Sequence, residues 1–344
     1  MSNKLIIYLV LSSLLLIVLA TVALFMGVYD FGGKSPLKVL VDIFSGNPEV
    51  SASEKFVIWD VRLARILMAI LIGSILAVSG TAMQGMFKNP LATPDLIGIT
   101  AGATLMAALT IVLGSFFRDY VPEIIQHSLL SIAAFIGALL TTLLVYKIST
   151  TQGKTNVVIM LLSGVALSAL GFAVVGFLIY LSKDEQLRDL TFWNLGSLGG
   201  ATWEKNGILL IVMLISYSVL IHKGKALNAM MLGEKDAEHL GIPVERIKKQ
   251  IVVLVALMVG ACVAFSGTIG FVGLIVPYIL RLIFKSNYQI ILPLSAVMGS
   301  ILLLVADTVS RTIVAPSEIP IGVLTAFMGA PVFIAILIRF KNSM

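Results

Sequence analysis

The chain has 344 residues, of which 58% are hydrophobic and 12% charged, about half the roughly 25% charged share of an ordinary soluble domain. So few charges cannot cover a water-exposed surface, which excludes a soluble globular protein. The formal net charge is +6, and the apolar residues fall in long continuous runs rather than short alternating segments, which excludes a transmembrane barrel and leaves a bundle of spanning helices.

A helix of about 20 residues crosses the roughly 30 Å hydrocarbon core of a bilayer. Ten such spans are expected, near 5–27, 63–84, 96–114, 124–146, 157–181, 207–222, 247–267, 271–285, 290–308 and 320–339. The first run, Leu5 to Val28, follows a single Lys4, is longer than a signal-peptide core and lacks a small-x-small cleavage site at its end, so it is expected to remain as the first helix. With the N-terminus inside, Lys and Arg outnumber Asp and Glu in the inner connections but not in the outer ones, as the positive-inside bias requires. Much of that bias comes from the inner connection His222 to Lys249, which carries Lys223, Lys225, Lys235, Arg246, Lys248 and Lys249. The outer segments Tyr29 to Arg62 and Ser182 to Asn206 are long enough for short helices and too short for a domain. Residues 1–344 therefore read as a single transmembrane domain. Cys262 is the only cysteine, which rules out an intrachain disulfide.

Several activities lack their residues. A proton- or sodium-coupled transporter places ionisable groups at membrane depth, whereas Asp95, Asp307 and Glu318 lie near span ends and read as solvated interfacial groups. The stretch Gly27 to Ser35 looks like a phosphate-binding loop, but its spacing is off by one residue and it follows a membrane helix on the outer side. No His-Glu-x-x-His is present, and His127, His222 and His239 are far apart. Neither an enzyme nor a bound cofactor is expected, and energy for transport must come from a partner.

Four segments carry a resemblance. The first is Val61-Arg62-Leu63-Ala64-Arg65, running into Gly80, Gln84 and Gly85 and then Asn89-Pro90-Leu91-Ala92-Thr93-Pro94-Asp95. Here Pro90 and Pro94 forbid regular helix in the inner turn. The second is Gly233-Glu234-Lys235-Asp236-Ala237-Glu238-His239-Leu240-Gly241, with Pro243 close behind. The third is Gly267 to Arg281, which includes Pro277 and Tyr278, and the fourth runs from Ala306 to Arg311 and from Glu318 to Phe333. In the fourth, Gly322, Ala326 and Ala330 form a stripe of small residues suited to tight helix packing or a pore wall. Together these segments resemble the vitamin B12, siderophore and haem permease family of binding-protein-dependent importers, nearly from Asp60 to the C-terminus.

The resemblance implies an all-α membrane protein of about ten transmembrane helices with the fold of the B12 permeases, type II ABC importers. It also implies a multi-pass location in the bacterial inner membrane. The implied partners are a second copy of the chain, two cytoplasmic ATP-binding subunits, a periplasmic or lipid-anchored substrate-binding protein and membrane lipid, with no nucleic acid. By the same resemblance Arg62, Arg65 and Arg311 receive acidic residues of the binding protein. Gly233, Glu234, Ala237, Leu240 and Gly241 form the helix that couples to the ATPase, with Ala237 and Leu240 as its apolar contacts. Asn89 and Leu91, with Thr155 and Asn156 in the turn from Gln152 to Asn156, form the inner gate. Asp184 to Trp193 looks most like the haem permeases, making Leu187, Arg188, Phe192 and Trp193 candidate pathway residues and haem the expected cargo. The alternatives are a siderophore or cobalamin within the family and, outside it, an ion-coupled secondary transporter.

Overall fold

The computed structural model describes residues 3–48, 50–117, 122, 126 and 128–341. Helix α1, Asn3–Phe25, is apolar on all sides and only 6% of its spanning window is buried within the chain, so it borders the bundle. After it, Ser35 caps α2, Pro36–Ser45, by accepting a hydrogen bond from the Lys38 amide at 3.2 Å, and Pro36 occupies the first turn, where its missing N–H costs nothing. Ser51 and Glu54 close a capping box on α3, Ala52–Lys55. A π-helical stretch, Phe56–Leu63, then leads without a break into α4, Ala64–Phe87.

Helix α4 is the centre of the molecule, since 89% of the best spanning window of Ala52–Phe87 is buried. Glycines let it lie directly against its neighbours. A Cβ at Gly73 would stand 2.3 Å from the carbonyl oxygen of Gly299, and one at Gly80 would stand 1.9 Å from that of Gly273. Small residues in membrane helices serve this close backbone approach.

Beyond α4 a short 3₁₀ turn, Pro94–Ile97, precedes α5, Ile99–Phe117. Helix α6, Leu129–Ser149, ends in a two-residue hairpin, with β1 (Thr150–Thr151) antiparallel to β2 (Lys154–Thr155). Gln152 and Gly153 at its tip both have positive φ, 51° and 77°, as the tight turn requires. Asn156 then caps α7, Val157–Leu181, accepting from the Val158 and Ile159 amides. A short outer helix, α8, Asp184–Leu195, leads to α9, Trp203–Leu220. Two inner helices follow, α10 (Gly224–Leu232) and α11 (Glu234–His239). The chain finishes with α12 (Val244–Ser266), α13 (Val272–Phe284), α14 (Tyr288–Ser310) and α15 (Ile321–Lys341).

Among the described residues, eight helices are long and apolar enough to cross a membrane. Two shorter apolar stretches, Ile99–Gly114 and Val272–Phe284, occupy the third and eighth expected positions. The nearly all-helical, many-span architecture thus matches the expectation. Residues 124, 125 and 127 of the expected fourth span, His127 among them, lie outside the described residues. The outer segments hold α2 and α8.

Candidate functional site

Three regions gather the residues singled out in the sequence. At the outer end, Arg65 of α4 is buried and donates to both carboxylate oxygens of Asp307 on α14, at 2.9 to 3.1 Å, and to Glu318 at 2.7 Å. Asp307 is fully buried, so its reading as a solvated interfacial group is corrected: it neutralises Arg65 inside the bundle. Arg62 donates to the Leu24 carbonyl at 2.7 Å and to that of Tyr29 at 3.4 Å, and lies over the Phe31 ring. Arg311 donates to the carbonyls of Met26 and Ala23 at 2.7 and 2.5 Å. The Ala23 and Leu24 carbonyls belong to the last turn of α1 and lack intrahelical partners, and cations there also meet the negative end of the helix dipole, while Met26 and Tyr29 lie in the chain just beyond it. The three arginines therefore assemble the outer end of the bundle from residues far apart in sequence.

The outer helix α8 meets this cluster. Leu190 is buried against Ala108, Val112, Val175 and Leu178, while Gln186 donates to the Ile111 and Val112 carbonyls of α5. That anchorage leaves Leu187, Arg188 and Phe192 exposed, whereas Trp193 is half-buried against the core. Phe192 lines a cavity of about 200 Å³ with Arg65 and Glu318. The C-terminal end of α8 is tied to the connection between α12 and α13, with the Thr268 hydroxyl donating to the Asn194 carbonyl at 2.5 Å.

From there a larger apolar groove of about 680 Å³ runs along α15. It is lined by Asn194, Thr268 and Phe271 on one side and by the small-residue stripe Gly322, Ala326 and Ala330 on the other. The stripe lines this groove, and its first residue, Gly322, also lies close against the end of α8, where a Cβ would stand 2.4 Å from the Leu195 carbonyl oxygen. Phe271 holds φ at 67°, an uncommon conformation for a side chain of its size. Its ring packs where a Cβ on Gly329 would stand, 2.2 Å from it. Sequence reading passed over Phe271, because positive φ leaves no signature in a phenylalanine.

The third region lies at the inner end. Gly233, at φ 151°, starts α11, and Gly241, at φ 79°, follows it. Here the expected apolar pair separates. Leu240 is 66% exposed, but Ala237 is fully buried in the chain's own core, so of the two only Leu240 lies at the surface. Glu234, at the first position of α11, accepts from the Lys248 ammonium at 2.7 Å. Lys248 has 1% of its side chain exposed and also donates to Glu245 at 3.1 Å and to the Thr155 carbonyl at 3.0 Å. Glu245 in turn accepts from the Thr155 amide at 2.8 Å.

A cleft of about 590 Å³ brings Phe87 and Lys88, at the inner end of α4, to Thr155, Asn156 and Glu234. Asn89 and Leu91 are not among its lining residues. They form the next turn, in which the Asn89 side chain accepts from the Leu91 amide at 2.9 Å. Among the described residues, no group of three or more His, Cys, Asp or Glu side chains is placed to hold a metal ion.

A model of the FecCD transport family matches residues 15–339. The chain belongs to this family. It is 40% identical over 286 residues to the hemin transport system permease protein of Yersinia pestis, covering 83% of this chain and 84% of that one. Against the vitamin B12 import system permease protein of Vibrio cholerae serotype O1 it is 39% identical over 293 residues, covering 85% and 86%. The fold is similar to a structure described as the inward-facing conformation of an ABC transporter of metal-chelate type, with a TM-score of 0.81, 32% identity and coverage of 96% and 98%.

Like its FecCD relatives, the chain is a permease of an ABC importer, a multi-pass protein of the bacterial inner membrane. It carries the passage for cargo and is not itself an enzyme. ATP hydrolysis belongs to a partner subunit, and cargo is delivered by a substrate-binding protein.

Proposed function

We propose that the chain is the translocating subunit of an importer for haem. The nearly equal identities to a hemin permease and a vitamin B12 permease support an iron chelate or cobalamin without choosing between them. The observation that carries haem is the outer face of α8, where Leu187, Arg188 and Phe192 are exposed together. Leucine and phenylalanine surfaces suit a flat apolar macrocycle, and a guanidinium suits its propionates. No histidine or tyrosine occurs between Asp184 and Leu195 to ligate iron, so the contact is brief and indifferent to the metal.

In this reading two copies of the chain enclose the pathway between their α15 grooves, and the apolar lining gives a large cargo no tight site from which release is slow. Phe327 and Ile334, 74% and 57% exposed beside the groove, are consistent with such a pathway or with cover from the second copy. The binding protein docks on the outer end around Arg62, Arg65 and Arg311. Its carboxylates reach Arg65 by exchanging with Glu318, whose side chain is 45% exposed. Two ATPase subunits hold α11 and the exposed Leu240 from below. ATP binding and hydrolysis bias outward-open against inward-open states through these contacts. The inner turns at Asn89 and Leu91 and at Thr155 and Asn156 open and close the exit.

Proteoliposomes holding the permease, its ATPase and its cognate binding protein test the cargo, with haem, a ferric siderophore and cobalamin offered separately. Haem should accumulate when ATP is supplied. Accumulation of cobalamin or the siderophore with none of haem would overturn the cargo and leave the importer assignment intact.

A further inference from the structure

Two inner elements assigned separate tasks above, the ATPase-coupling helix α11 and the gate turn before α7, meet at one buried ammonium. Lys248 joins Glu234, the first residue of α11, to the Thr155 carbonyl, the last residue of β2. Glu245, one turn earlier on α12, accepts from Lys248 with one carboxylate oxygen and from the Thr155 amide with the other. Both backbone polar groups of Thr155 are thus held by the Lys248–Glu245 pair. The next residue, Asn156, is the cap of α7. Nothing in this chain of contacts is slack: every link lies between 2.7 and 3.1 Å.

We infer that Lys248 is the positioning residue that makes α11 and the gate turn move as one body, so that displacement of α11 by the ATPase is delivered to the start of α7. The physical reason lies in burial. An ammonium with 1% of its side chain exposed has little water within reach to replace its partners, and separating a buried charge from its counter-ions is costly. When α11 shifts, retaining Lys248 and dragging Thr155 is therefore favoured over breaking the node. Glu234 and Glu245, 33% and 29% exposed, lie at its edge. The cleft against Phe87 and Lys88 gives the joined body room to move.

This inference rests on reading α11 as the coupling helix and the 150–156 turn as a gate. Its test uses the complete complex of permease, ATPase and binding protein in proteoliposomes, with spin labels at the exposed position 158, in the first turn of α7, in both copies. Cargo taken up per ATP hydrolysed and the nucleotide-dependent change in label separation are both recorded. Lys248→Met should lower the ratio at least tenfold and abolish the change in separation. Glu234→Ala removes only the α11 arm while Lys248 keeps Glu245 and Thr155, and the same loss is expected, so a folding defect in the first variant leaves the second to decide. An unchanged ratio with an unchanged label response in Glu234→Ala would overturn the linkage. Should Leu240→Asp also leave ATPase binding intact, the coupling-helix reading itself fails; should it abolish binding while Glu234→Ala stays coupled, only the linkage fails.

Discussion

Arg65 and Asp307, 242 positions apart in the chain, form a buried bidentate ion pair that fastens α4 to α14 at the outer end of the bundle. Breaking a buried pair by removing one partner strands the other charge, at a cost of about 3–5 kcal/mol. Glu318 still touches Arg65 after Asp307→Asn, which places the expected loss near the lower end, about 3 kcal/mol. Thermal unfolding of the purified permease in detergent should show the variant melting well below the parent. Equal melting would mean that the pair contributes no net stability.

Glu318 gives a separate handle on docking. Glu318→Gln removes the exchangeable partner of Arg65 while Asp307 keeps it charged-paired. Binding-protein affinity should rise several-fold, about the 1 kcal/mol expected of a partly exposed ion pair, and the gain should shrink at high salt. Titration of the binding protein onto the reconstituted permease measures both effects. Unaltered affinity at every salt concentration would remove Arg65 from the docking surface.

Close packing around α4 makes a sharper stability prediction. The Cβ of Gly80→Ala would lie 1.9 Å from the Gly273 carbonyl oxygen, which belongs to backbone and cannot rotate away. Helices α4 and α13 must separate, and overpacking of this kind costs about 1–3 kcal/mol or more. Size-exclusion profiles should show loss of the monodisperse peak, and a variant as well behaved as the parent would contradict the crossing.

The apolar runs carried most of the fold, because lipid allows a long uncharged segment few conformations other than helix. Their partners were another matter. Asp307 near a span end looks the same in sequence whether it faces water or Arg65, since the answer depends on which helices pack together. Ala237 looked available beside its charged neighbours, yet it is buried, and Leu240 alone projects. Lys248 was hidden among basic residues that obey the positive-inside bias. A signal was present all the same: Val244, Lys248, Ile251 and Val255 stand at helical spacing and all are buried, so a lysine on the apolar stripe of α12 marks an internal counter-ion. The capping of α1 by Arg62 and Arg311 had no comparable signal, because its acceptors are backbone carbonyls.

That separation of Ala237 from Leu240 can be tested by contrast. Leu240→Asp should leave the isolated permease within about 0.5 kcal/mol of the parent, as expected of an exposed substitution, while copurification with the ATPase is lost. Ala237→Asp buries an unpaired carboxylate and should destabilise the permease itself. Equal ATPase retention in Leu240→Asp and the parent would take Leu240 out of the contact.

The proposed gate is tested by cysteines placed at position 91 of both copies of the proposed dimer. Leu91→Cys should crosslink in the closed state and stop uptake, with recovery on reduction. Failure to crosslink in every nucleotide state would remove Leu91 from the gate.

ATP hydrolysed by a partner subunit, rather than an ion gradient, drives transport through this chain. The rate at which cargo accumulates in proteoliposomes decides it, with haem, a ferric siderophore and cobalamin each offered, measured with the full complex and ATP in the absence of any gradient, and with the permease alone under an imposed proton or sodium gradient. The predicted result is uptake that requires ATP, the ATPase subunit and the binding protein together, and no uptake by the permease alone. Gradient-driven accumulation by the permease without its ATPase would mean that an ion gradient, not ATP, drives it.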